Sequence, residues 1–210
     1  MISIDETRPF YEGSDSAHDM DHILRVTKMA EKLARAEGAD VEVVRVAALL
    51  HDIARKDEDV GEAKIDHAEL AADQALQLLL DRGASADFAE RVGTAIRSHR
   101  FRGTRQAITL EAQVLFDADK LDAIGAIGVA RSYAVAGSLN QKLCGGPFEA
   151  GNADRYQHHS AHTPVAEFEV KLSKLRDRFH TATAQAIARS RHDFMLEFFQ
   201  QLEREAAGND

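Results

Sequence analysis

The sequence contains no run of the roughly 18 to 20 apolar residues that a bilayer-spanning helix needs, and its opening stretch MISIDETRPFYEG has no basic segment followed by an apolar one. Neither a membrane-embedded nor an exported protein is expected; a soluble protein of the cytoplasm is. With one cysteine, Cys144, there can be no intramolecular disulfide, in keeping with a reducing compartment. Cys144 lies in LCGGP with no histidine at a meaningful spacing, so it reads as structural rather than nucleophilic. Positive charge is also short: 26 Lys and Arg against 35 Asp and Glu leave a formal net charge of −9. A surface that holds a nucleic-acid polymer by counterion release is thereby excluded. A small phosphorylated ligand is not, because a metal and a few local arginines can set the field in a cleft. Sustained strand-like alternation is missing as well.

What is present is helical periodicity over most of 210 residues, 44% of them hydrophobic, which is enough for one buried core. The chain reads as all-α, a single domain over 1–210, monomeric or homodimeric, with no internal repeat. A helix over about 18–36 carries Val26, Met29, Ala30, Leu33 and Ala34 on one face, with His22 on the same face and Gly38 as its stop. Asp40 caps a helix over about 41–54, apolar nearly all round in VVRVAALL and reaching His51 and Asp52. Further helices are expected over about 65–82, with His67 in the first turn, and over about 86–99, capped by Ser85 and continuing its apolar stripe onto His99. Thr109 opens what reads as one long helix through TLEAQVLFDADKLDAIGAIGVARSYAVAG, in which Gly125 and Gly128 suggest close approach of a neighbour. A long loop is expected near residues 137–163. Thr163-Pro164 then starts a helix bearing Phe168, Leu172, Leu175 and Phe179, and the last stretch, IARSRHDFMLEFFQQLE, is amphipathic.

Ten histidines with one cysteine mean that any metal site here is built from nitrogen and oxygen. A lone histidine on an apolar helix face is more often a satisfied core residue than a ligand. Here His22, His51 and His99 each turn inward from a different helix while another helix turns in a carboxylate. Burying so many ionisable groups without a shared partner is costly, and a divalent metal removes that cost. Periodicity leaves the carboxylate open between Asp117 and Asp119, since both fall on partly apolar faces. His158, His159 and His162 lie in the long loop without the scaffold of a dedicated zinc site.

The ordered set of His22, 28 intervening residues, the His51-Asp52 doublet closing LLHD, and an aspartate in DADKLD resembles the metal-binding signature of the HD superfamily of phosphohydrolases. The segments HDMDHILRV, AALLHDIARK, DHAELAA, AIRSHRFR and LEAQVLFDADKLDAIGAIGVAR, with KL-x-KL-x-D-x-x-x-T before RHDFM, are similar to its YpgQ/YedJ branch over roughly residues 15–205. The resemblance implies an HD-type helical bundle with a metal-binding core over about 18–135 and C-terminal helices over about 164–206.

It further implies His22, His51, Asp52 and Asp119 as ligands of a divalent metal, Mn²⁺ or Mg²⁺ before Fe²⁺, Co²⁺ or Ni²⁺. Asp119 is preferred because related enzymes use the aspartate just ahead of a basic residue in A-D-[KR]-L. His67 and His99 match positions that hold a second metal in binuclear relatives and face the substrate phosphate in mononuclear ones; with Asp52 they are the candidates for moving a proton. Basic residues near the signature, Arg25, Lys56, Arg100, Arg102 and Lys120, are candidates for phosphate contacts, and Asp122 for a supporting or substrate contact at the same site. Asp19 either orients His22 or Arg25 or serves its helix start.

The activity implied is hydrolysis of a nucleoside or deoxynucleoside triphosphate to monophosphate and pyrophosphate. A nucleotidase or phosphodiesterase, alarmone hydrolases included, is the alternative among enzymes. Alarmone hydrolases carry an acidic pair soon after HD, whereas HDIARKDED places Arg55 and Lys56 first. A non-catalytic nucleotide-sensing module is the alternative from another class, and the intact signature argues against it.

Overall fold

The computed structural model describes residues 2–14, 18–55, 67–99, 106–144 and 162–209. Lys56, Arg100, Arg102, His158 and His159 lie outside the described residues. Among those described, all regular structure is helical: α1 (Ile4–Tyr11), α2 (Met20–Glu37), α3 (Val41–Leu50), α4 (His67–Asp81), α5 (Ala86–Arg97), α6 (Leu110–Leu121), α7 (Gly125–Ser138), α8 (Pro164–Val170), a 3₁₀ turn (Leu172–Asp177) and α9 (Ala182–Ala206). They group into two compact units, Met1–Asp119 with His180–Ala184, and Lys120–Phe179 with Gln185–Asp210.

In the first unit α3 is the central element, packed by α1, α2, α4 and α5. Val43, Val44 and every residue from Val46 to Leu50 are fully buried, as the near-continuous apolar run demands. The starts of α3 and α5 are each closed by a side chain. Asp40 accepts from the backbone N–H groups of Glu42 and Val43 at 3.1 and 3.3 Å, and Ser85 from that of Phe88 at 3.2 Å. Gly38 ends α2 in the left-handed conformation (φ 80°), its N–H donating to Ala34 O at 2.9 Å.

α1 has no counterpart in the periodicity analysis. It starts on a capping box in which Ser3 accepts from the Glu6 N–H while the Glu6 carboxylate accepts from the Ser3 N–H at 2.7 Å. Arg82 holds the same Glu6 carboxylate at 2.7 Å, tying α1 to the end of α4.

Two expected helices are broken in the second unit. The stretch from Thr109 divides into α6 and α7, because Gly125 has φ +76° and cannot continue a right-handed helix. A Cβ built there would lie 2.8 Å from Arg191 Cγ, and one at Gly128 would collide with the Ala123 carbonyl. The close approach at these glycines thus comes from the Arg191 side chain and from the chain's own bend. The second break falls at Lys171 (φ −129°, ψ −57°), where α8 gives way to the 3₁₀ turn. Phe168, Leu172, Leu175 and Phe179 are nonetheless all buried. The expected 137–163 loop begins with the end of α7 at Ser138, and residues 145–161 are outside the described residues.

Candidate metal centre

Five of the sequence-selected side chains meet inside the first unit, four imidazoles around the carboxylate of Asp52. His22 comes from the first turn of α2, His51 and Asp52 from the end of α3, His67 from the start of α4, and His99 from just beyond α5. All five are buried, none more than 5% exposed. Asp119, in the last turn of α6, completes the set with Oδ1 3.7 Å from His22 Nε2.

Asp52 presents a different oxygen to each side of this cluster. Its Oδ2 lies 3.5 Å from His51 Nε2 and 3.9 Å from His22 Nε2. Its Oδ1 lies 3.6 Å from His99 Nε2 and 3.7 Å from His67 Nε2. Two overlapping groups result, His22-His51-Asp119 and His51-Asp52-His99, in each of which one donor atom per residue lies within 4.8 Å of the others.

The orientation of two imidazoles follows from where the helices end. The last carbonyls of a helix lack an intrahelical partner. His51 Nδ1 takes up Ala48 O at 2.8 Å, and His99 Nδ1 takes up Ile96 O at 2.6 Å. A carbonyl can only accept, so both Nδ1 atoms carry the proton and both Nε2 lone pairs face the carboxylates. This is the tautomer of a metal-ligating histidine held from behind. His51 Nε2 is buried and has no hydrogen-bond partner among the described residues. A buried lone pair with no donor, facing anionic oxygens, fits a divalent cation and fits little else.

Electrostatics sets the same protonation states. Burial pushes the His51 imidazole down to about 4, against the opposing pull of the Asp52 charge. Burial acting on Asp52 favours its neutral acid, but the positive charge that His51, His99 and His22 take up in acid overrides it and holds the carboxyl well below the usual range. Neutral imidazole and ionised carboxylate are the forms a divalent metal binds.

The His51 shift implies a pH dependence. Unfolded, the imidazole titrates near 6.5, and folded near 4, so between those values the unfolded chain takes up the extra proton. Stability of the metal-free protein is therefore full above pH 6.5 and falls toward pH 4, by about 3 kcal/mol for this group. The depressed Asp52 adds a loss in the same direction at lower pH. Urea unfolding of metal-free protein at several pH values measures the slope, and His51→Gln should flatten it. Equal slopes in the two proteins would remove His51 as the cause.

The remaining sequence candidates are placed as follows. Arg25 is half-buried on α2, one turn from His22. Lys120 and Asp122 fall in the second unit, where Asp122 is buried and its Oδ2 accepts from Arg131 Nη1 at 3.2 Å. Asp19 caps α2 through the backbone N–H of His22 itself, at 3.0 Å. Asp117 serves another purpose: fully buried, it accepts from the N–H groups of His180 and Thr181 at 2.9 and 2.8 Å and from the Thr181 hydroxyl at 2.8 Å, fixing the start of α9. His162 is buried in the second unit, its Nε2 3.0 Å from Glu167.

Two residues near the centre were not singled out from sequence. The His18 ring stands edge-on to His22 with centroids 6.0 Å apart, a neighbour that the i, i+4 spacing already offers. Tyr11, from α1, reaches the end of α3. Its only sequence signal was the Ser3-x-x-Glu6 capping pattern of its helix.

An all-helical fold with histidines and aspartates from separate helices converging on one buried cluster defines the metal-dependent phosphohydrolases of the HD type. The chain belongs to this family: the model of the HD domain matches residues 20–124. It is 34% identical over 200 residues to the uncharacterized protein YpgQ of Bacillus subtilis (strain 168), covering 93% of this chain and 87% of that protein. The crystal structure of Bacillus subtilis YpgQ in complex with ADP superimposes with a TM-score of 0.74 at 32% identity, over 99% of this chain and 100% of the other. A predicted HD superfamily hydrolase from an uncultured Thermotogales bacterium gives a TM-score of 0.66 at 30% identity, over 96% and 90% of the two chains. No helix among the described residues is long and apolar enough to cross a membrane.

Proposed function

We propose that this hydrolase is a cytoplasmic nucleotide pyrophosphohydrolase that cleaves nucleoside or deoxynucleoside triphosphates to the monophosphate and pyrophosphate. The carrying observation is the Asp52 carboxylate, faced on one oxygen by His22 and His51 and on the other by His67 and His99. The ADP found with YpgQ supports a nucleotide as the ligand of this chain too.

In this reading His22, His51, Asp52 and Asp119 hold one divalent cation, Mn²⁺ or Mg²⁺. His67 and His99, on the far oxygen of Asp52, provide for a second. A cation bound there lowers the pKa of water and draws charge from a phosphoryl oxygen. The protein's own groups do the rest. With a single cation bound, His99, its Nδ1–H anchored on Ile96 O, offers its buried Nε2 lone pair to the proton of the attacking water, and His67 and the Asp52 carboxylate are the other candidates to accept it. The water oxygen bonds to the α-phosphorus, the bond to the α,β-bridging oxygen breaks, and pyrophosphate leaves. Arg25, Lys56, Arg100, Arg102 and Lys120 are assigned to the phosphate oxygens and Asp122 to a supporting contact, on their positions beside the signature. The oligomeric state assigned is monomer or homodimer.

Incubation of nucleotides with the Mn²⁺-loaded protein, with pyrophosphate and orthophosphate measured separately, tests the reading. Pyrophosphate and monophosphate in equal amounts are expected. Orthophosphate as the sole phosphate released would exclude it.

A further inference from the structure

The His51-Asp52 doublet sits where α3 stops, at a helix end whose carbonyls need partners from outside the helix. Ala48 O is used by the His51 ring and Leu50 O by the Ile53 N–H at 3.3 Å. The carbonyl between them, Leu49 O, is taken by a residue 38 positions away: the Tyr11 hydroxyl donates to it at 2.8 Å. The phenol is buried, with 4% of the residue exposed, at the last position of α1. The phenol oxygen in turn faces the Asp52 backbone N–H, so the hydroxyl donates to Leu49 O while accepting from Asp52. One hydroxyl thus joins the last turn of α3 to the backbone of a metal-facing aspartate. α1 cannot slide away, since Glu6 is held by Arg82 and Arg45 reaches Ile2 O at 3.5 Å.

We propose that Tyr11 is a positioning residue of the metal centre, its hydroxyl fixing the turn that presents His51 and Asp52 and thereby raising metal affinity. This rests on the metal-binding reading above. Without the hydroxyl, Leu49 O and the Asp52 N–H lose a buried partner and the turn between the two side chains gains freedom. Partners behind a metal ligand change affinity by about 10- to 100-fold when removed.

The test uses the whole chain and Mn²⁺ alone, with binding followed by calorimetry. Tyr11→Phe, which keeps the ring, is expected to bind Mn²⁺ about tenfold more weakly than the wild type. Leu33→Ala, in the buried face of α2 three turns from His22, serves as a control for general destabilisation and is expected to lower the melting temperature while keeping wild-type affinity. If Tyr11→Phe is too unstable for calorimetry, the Mn²⁺ concentration giving half-maximal protection against unfolding supplies the same comparison. Affinity of Tyr11→Phe within twofold of wild type overturns the proposal and leaves the metal-binding reading standing. A loss equal to that of Leu33→Ala overturns it as well. A wild type that binds no Mn²⁺ overturns the reading itself.

Discussion

His51→Ala is expected to lose bound divalent metal and phosphohydrolase activity together, activity by more than about 100-fold, while keeping its helical circular-dichroism spectrum. His51 is the residue shared by both donor groups, His22-His51-Asp119 and His51-Asp52-His99, so its removal opens each of them at once. Its ring is locked by Ala48 O, and its buried Nε2 has no hydrogen-bond partner among the described residues. Elemental analysis of the purified variant, alongside turnover with added Mn²⁺, reads both effects. Wild-type metal content in the variant would remove His51 from the centre, whatever its activity.

The second large effect separates two aspartates that lie two residues apart on α6. Asp117→Ala is expected to cost about 3 to 5 kcal/mol of folding stability, since it strands two backbone N–H groups and a hydroxyl at the start of α9. Its folded fraction should still bind Mn²⁺ with wild-type affinity. Asp119→Ala is expected to behave in reverse: little change in stability without metal, and Mn²⁺ binding weakened by more than about tenfold. Urea unfolding and metal titration of both variants give four numbers that must fall in this crossed pattern. If Asp117→Ala lost metal at unchanged stability, the assignment of the two carboxylates would be inverted.

These two positions show where reading residues along the chain runs out. Neighbouring positions of that spacing project roughly 200° apart around a helix, and both faces of α6 carry apolar residues, so periodicity marks each as inward and ranks neither. Only the arrival of His180 and Thr181, more than sixty positions downstream, shows that Asp117 is already occupied. Tyr11 makes the same point. Its importance lies in a carbonyl 38 positions away, and its helix is too short for a periodic signal. The break after α6 was marked in the sequence by Gly125, but a glycine states a permission, and its positive φ is taken up only in the folded chain.

What the residue order determined unaided is the all-helical class, the stop of α2, the starts of α3 and α5, and the inward-facing set His22, His51 and His99. Each of these depends on local rules: apolar spacing of three to four residues, a capping side chain, a left-handed glycine. The tertiary structure alone decided that Asp52 is shared between two pairs of imidazoles, which tautomer His51 and His99 adopt, and that Asp117 is taken up by the start of α9. Those outcomes depend on the distances between atoms of different helices and on which carbonyl is left without a partner at a helix end. Sequence spacing carries neither, because both come into being only when the helices pack.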